Sequence, residues 1–332
     1  MELTPNIVAW LSGNESFLSG LAALIVIIGF IGTMLRSFNS APKESSEAAN
    51  SRLTLKNLTA PSPFPIELAN VDGLNIAFNV QGHGKHNLLV TPGIISNLHI
   101  SANLPPIADT MESLAKFSKL VNFDKRGQGL SDPTPNVATL SQRIRDIEAV
   151  ADAASFDKFF LMGISEGGPM SIQFAHENPT KVKGLILFGT TAKFLRDDDY
   201  SIGLSEKALD ALVQNWGTAI TRDIFFPSIT EDEMDTTTYK GFEKLLADKK
   251  SMSQIVEYMK TLDVRKILKS ISCPSLVVHF TGDLAVPIRM GRNLSRELPN
   301  SEFVEVAGVD HCDLAKAPNA IEAIQNFMIR NH

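Results

Sequence analysis

The chain has 332 residues, 44% of them hydrophobic and 20% charged, which is enough apolar material for one sizeable core and too much for a disordered polymer. Its formal net charge of −6, without any dense run of lysine and arginine, argues against nucleic-acid binding as the main task. Cys273 and Cys312 lack the C-x-x-C spacing of metal or redox motifs, so they read as inert thiols of a reducing compartment.

In chain order, the first element is Phe17 to Leu35, 19 uncharged residues that as a helix would cover about 28 Å, one bilayer core. The stretch before it carries Glu2 and Glu15 and no lysine or arginine, which favours a membrane anchor over a cleaved signal peptide. Basic residues first appear after the span, at Arg36, Lys43, Arg52 and Lys56, so residues 1–36 are expected as a single-pass inner-membrane anchor with the rest of the chain in the cytoplasm. Residues 37–60, rich in Ser, Asn, Ala, Glu and Lys, are expected as a flexible linker.

Pro65 to Leu68 and Leu74 to Val80 read as a hairpin closed by Asp72-Gly73. Beyond it, apolar runs at 88–90, 119–123, 159–162, 185–188, 276–280 and 303–306 alternate with helical stretches at 140–154, 168–177, 288–298 and 317–328. Such alternation predicts a mainly parallel sheet covered by helices on both faces, with its sites at the C-terminal ends of the strands. The stretch from 192 to 270 breaks the alternation and carries only helical patterns, at 206–216 and 240–263.

The chemistry concentrates at Gly163-Ile164-Ser165-Glu166-Gly167, a G-x-S-x-G between an apolar strand and a helical stretch. Glycines there permit a turn sharp enough to push the serine hydroxyl out of the sheet. A serine needs a histidine to take its proton and a carboxylate to orient that histidine. Asp283 follows the strand 276–280 and His311 follows the strand 303–306, so both fall on loops at the same sheet edge. Asp310 is a rival carboxylate, but a neighbour on a sharp loop points away from the adjacent imidazole, and Asp283 is preferred to it and to Asp197–Asp199. Asp124 and Arg126 are expected to pin their turn as a buried ion pair, and the charge of Glu166 is expected to suit the N-terminus of its helix.

With its elbow, its two later loops and the segment Asn122-Phe123-Asp124-Lys125-Arg126-Gly127-Gln128-Gly129-Leu130-Ser131-Asp132, the chain resembles the α/β-hydrolase family over residues 64–330. Pro92-Gly93-Ile94-Ile95-Ser96, FDKRGxGLSD and GxSEGG are most similar to hydrolase domains found in bacteria alongside nucleotide cyclases, although no cyclase domain is present. The resemblance implies a core over 61–191 and 271–332, and a helical lid over 192–270 in which Phe194, Leu195, Trp216, Ile224, Phe225, Phe226, Met252, Tyr258 and Met259 are available to line an apolar pocket. It implies Ser165 as nucleophile, His311 as general base and Asp283 as its orienting acid. The oxyanion would be held by the backbone N–H groups of Glu166 and Ile94. Where the family has His-Gly after its third strand, this chain has Thr91-Pro92-Gly93. The expected activity is cleavage of a small ester or lactone through an acyl-enzyme, without metal or other cofactor. A ligand-sensing domain with little turnover is the alternative.

Overall fold

The computed structural model describes residues 52–332, so the expected membrane span at 17–35 and most of the linker lie outside the described residues. Among the described residues no helix is long and apolar enough to cross a membrane. The end of the linker departs from expectation. Leu55–Leu58 form a short helix, α1, whose Leu58 is buried against Ile100, Leu104, Met234, Tyr239 and Phe242. Arg52 pairs with Asp235 at 2.9 Å and Leu53 N–H donates to the Glu233 carbonyl at 2.7 Å. A run that reads as solvated by composition is docked because its leucines at 53, 55 and 58 find apolar partners distant in sequence.

Eight strands form one sheet: β1 (Glu67–Val71), β2 (Leu74–Gln81), β3 (His86–Thr91), β4 (Ser118–Phe123), β5 (Phe159–Ile164), β6 (Val182–Phe188), β7 (Ser275–Phe280) and β8 (Ser301–Val306). Their order is β1-β2-β4-β3-β5-β6-β7-β8, with β1 and β2 antiparallel to their neighbours and every later pairing parallel. The hairpin turn has Asp72 and Gly73 both at positive φ, as a two-residue primed turn requires. The chain leaves β3 for β4 on one side and returns to β5 on the other. The loops after β3 and β5 therefore diverge at a topological switch point, where open α/β sheets leave a crevice.

Side chains alternate across the sheet with period two. Leu89 and Leu161 join one apolar cluster with α4 (Leu140–Ala153) and α5 (Gly167–Glu177). Leu88, Val90, Phe160 and Met162 join the other with Met111 and Leu114 of α3 (Pro105–Ala115) and the C-terminal helix Pro318–Arg330. That last helix buries Ala320, Ile324, Phe327 and Met328, an i, i+4, i+7, i+8 stripe. The helix α3, not anticipated from the sequence, carries its two leading prolines in the first turn, where no N–H partner is needed. A shorter helix, α2 (Leu98–Ser101), precedes it, capped by the Asn97 side chain.

Between β6 and β7 the chain builds α6 (Glu206–Asn215), α7 (Arg222–Phe225), α8 (Thr236–Leu246) and α9 (Lys249–Thr261). The single helix expected over 240–263 is two. Asp248 accepts the Ser251 N–H at 2.7 Å and caps α9, while Ala247 is extended and ends α8. The helix α10 (Ile288–Glu297) follows β7 and the Pro318–Arg330 helix, α11, closes the chain.

Candidate active site

Ser165 stands at the end of β5 with φ +53°, a conformation that costs energy for any residue with a Cβ and persists only where the surroundings impose it. Its N–H donates to the Phe188 carbonyl at 3.0 Å, and its own carbonyl accepts from Gly168 N–H at 3.0 Å and from the Thr190 hydroxyl. The flanking glycines are required by contact: a Cβ on Gly167 would lie 2.4 Å from the Thr91 carbonyl oxygen, and one on Gly163 2.7 Å from the Gly168 Cα. Thr91, the last residue of β3, bridges that strand to the elbow. Its hydroxyl lies 2.6 Å from Ser171 Oγ and donates within reach of the Gly167 carbonyl at 3.0 Å.

His311 and Asp283, 28 residues apart, meet at the far edge of the same crevice, His311 Nδ1 lying 2.7 Å from Asp283 Oδ2. Both are 1% exposed. The second carboxylate oxygen, Oδ1, accepts the N–H groups of Ala285 and Val286, each at 2.9 Å. An ionised carboxylate can only accept, so Nδ1 carries the proton and Nε2 presents its lone pair. That Nε2 is buried and has no hydrogen-bond partner among the described residues. His279 packs behind Asp283, 3.6 Å from Oδ2, with its own Nε2 2.6 Å from the Val286 carbonyl. Burial holds the His279 imidazole below its ordinary pKa, as a neutral ring.

The rival carboxylates are otherwise engaged. Asp310 accepts from the backbone and hydroxyl of Ser228 and forms an ion pair with Lys316; Asp197 pairs with Lys193, and Asp199 with Arg265. Asp124 and Arg126 do not pair with each other, contrary to expectation. Arg126 reaches Asp146 and Asp72, whereas Asp124 accepts the N–H groups of Leu98 at 3.1 Å and Leu130 at 2.8 Å. Desolvation raises the Asp124 carboxyl to about 6.

Glu166 also departs from expectation. Its side chain is wholly buried and neither caps its helix nor enters the crevice. Oε1 accepts from Arg143 at 2.7 Å and Oε2 from Lys125 at 2.6 Å. Lys125 donates further to the carbonyls of Gly93 at 2.6 Å and Ile94 at 3.1 Å. Burial pulls the Lys125 ammonium down to about 8, with Glu166 opposing the shift. Arg143 in turn lies 4.2 Å from the ring centre of Tyr258 on α9. Neither Lys125 nor Arg143 stands out in sequence, because a lysine beside a turn and an arginine in an amphipathic helix ordinarily face water.

Two apolar cavities meet at Ser165. The larger, about 950 Å³ including its mouth, is lined by Ser165, His311, Ile94, Trp216, Phe225 and Phe226, and extends beneath α2, α3 and α8. The smaller, about 390 Å³, is lined by Ser165, Ile94, Phe194, Ile224, Phe225 and Met259. Of the remaining residues offered for the pocket, Met252 is buried inside the helical insertion, and Leu195 and Tyr258 line neither cavity. Tyr239, Phe242 and Leu246 of α8 line the larger one and were not anticipated; only the docking of α8 over the crevice turns them inward. The insertion touches the histidine directly, since His311 N–H donates to the Phe225 carbonyl at 2.9 Å. Among the described residues no cluster of three His, Cys, Asp or Glu side chains is disposed to hold a metal.

Comparison with known proteins agrees with this architecture. A karrikin insensitive 2 receptor of Petunia hybrida is 22% identical over 252 residues, 73% of this chain and 90% of the receptor. A pimeloyl-[acyl-carrier protein] methyl ester esterase of Neisseria meningitidis is 29% identical over 190 residues, 54% of this chain and 60% of the esterase. The crystal structure of an esterase from Exiguobacterium antarcticum superposes with a TM-score of 0.68 at 18% identity, covering 81% of this chain and 99% of that one, and so shares the fold. These matches leave the narrower likeness to cyclase-linked domains an expectation. The sequence model described as serine aminopeptidase, S33, matches residues 107–314, more than half of the chain, and with an α/β-hydrolase sheet around it the chain belongs to that hydrolase family.

Proposed function

We propose that the protein is a serine hydrolase that cleaves a small, largely apolar carboxylic ester or lactone through an acyl-enzyme. The observation that carries this reading is the His311 Nε2 lone pair, aligned by Asp283 and lacking any internal partner, in a cavity that Ser165 also lines. Ser165 Oγ would attack the carbonyl carbon as Nε2 takes its proton, and the resulting imidazolium would be stabilised by Asp283. The tetrahedral oxyanion would be met by the N–H groups of Glu166 and Ile94, neither of which is taken by an acceptor among the described residues. Collapse returns the proton to the leaving oxygen, and water repeats the sequence on the acyl-enzyme. The cavity walls offer few polar partners, which favours an uncharged acyl group.

Full-length protein should hydrolyse short p-nitrophenyl esters and be labelled at Ser165 by a fluorophosphonate probe. Ser165→Ala should abolish both. A second reading, a ligand-sensing protein with little turnover, draws on the likeness to the petunia receptor. Labelling of Ser165 without multiple turnovers would favour it. The proposal includes anchoring through residues 17–35 with the hydrolase unit in the cytoplasm, which a compartment-sensitive reporter fused to the C-terminus would test.

A further inference from the structure

Lys125 is 1% exposed and lies at the end of β4, beneath the loop that follows β3. Its ammonium has three donors and they meet three acceptors: the carbonyls of Gly93 and Ile94 and Oε2 of Glu166. The first two belong to the loop that carries Ile94, and the third to the residue that follows Ser165. One buried cation therefore joins the two strand ends whose backbone N–H groups border the serine. The peptide bond is planar and trans, so a Gly93 carbonyl drawn toward Lys125 turns the Ile94 N–H to the opposite side of that peptide. A Cβ built on Gly93 would be 3.2 Å from Ser165 Cβ and 3.7 Å from its Oγ, so this peptide stands against the nucleophile. Arg143 takes the second oxygen of Glu166, leaving neither carboxylate oxygen unpaired.

We infer that Lys125, with Glu166 and Arg143 behind it, is the positioning group of the oxyanion-binding loop. It holds the Ile94 N–H aligned with the Glu166 N–H, in a chain where Thr-Pro-Gly replaces the family's His-Gly. Lys125 touches neither substrate nor reacting atoms. It acts by keeping two amides on one target, and amides misplaced by about 1 Å forfeit about a hundredfold in rate.

The inference rests on the serine-hydrolase reading, and steady-state kinetics of the full-length protein on p-nitrophenyl butyrate tests it. In Lys125→Met, kcat should fall about 100-fold while KM stays within about threefold, because the loss is felt at the oxyanion rather than in substrate binding. In that variant Glu166 keeps its bond to Arg143, so one buried carboxylate and one buried cation remain paired and no charge is stranded. A melting temperature near that of the wild type together with the low kcat separates positioning from misfolding. Glu166→Gln alone, which preserves shape, should lower kcat about tenfold and speed amide hydrogen exchange at residues 93–96. A folded Lys125→Met variant with wild-type kcat, or a rise in KM of about 100-fold without loss of kcat, would overturn the inference. A wild type that neither turns over ester nor takes the fluorophosphonate would overturn the hydrolase reading and this inference with it.

Discussion

The two sides of the crevice are held by different forces. Ser165 and Ile94 rest on buried charges, Lys125 between Glu166 and the loop carbonyls, with Arg143 beyond. His311 and Asp283 rest on neutral backbone groups: two N–H bonds to Asp283 and the Phe225 carbonyl that receives His311 N–H. Buried charges with their partners in place are stiff, and removing one partner is costly because the other stays desolvated. Bonds to short loops are individually weaker, and one of them runs to the insertion. The serine side thus belongs to the sheet, while the histidine side is shared between the sheet and the helices over it.

Four substitutions would break or sharpen that contrast. His311→Ala removes the proposed proton acceptor and should lower kcat by a factor on the order of 10⁶, read by single-turnover kinetics on protein whose fold is checked by circular dichroism, since the buried Asp283 loses a partner. Asp283→Asn leaves the packing intact but reverses the preferred tautomer of His311, and a loss of about 10⁴ in kcat is expected. Retention of more than a tenth of the activity would shift the orienting role to another carboxylate.

Asp124→Asn probes the charge-held side through stability. The Asp124 carboxyl has a folded-state pKa of about 6 against an ordinary 3.8, because burial disfavours its ionised form. Between those values the native protein binds the extra proton. The stabilisation it brings is complete below about pH 3.8 and is lost as pH rises through about 6. The asparagine variant should therefore gain on the wild type in urea midpoint as pH climbs across that window, and a difference flat with pH would contradict the assignment. The smallest effect belongs to Tyr258, whose hydroxyl is buried without a partner while its ring covers Arg143. Tyr258→Phe keeps the ring and should raise stability by up to about 1 kcal/mol, seen as a small rise in melting temperature.

Much of the scaffold was legible along the chain. The alternation of apolar runs with amphipathic stretches located the seven strands from β2 onward to within a few residues, and Asp72-Gly73 marked the hairpin because few other pairs tolerate two positive φ angles. The elbow was legible for a similar reason: glycine at 163 and 167 is demanded by contacts shorter than any Cβ allows. The insertion was read less well. Its helices pack on one another and on α1 and α2 rather than on a sheet, so local periodicity could not show that Asp248 breaks one helix into two or that α8 faces the crevice.

By itself the sequence determined the strand order in time, the sharp turn that exposes Ser165, and the two late loops that could carry its partners, since each depends on backbone preferences within a few residues. The tertiary structure alone decided that Lys125, Arg143 and Glu166 are buried together. Burial and charge pairing are properties of groups 18 to 41 residues apart, and a residue's solvent exposure is settled only once the sheet has brought its neighbours around it.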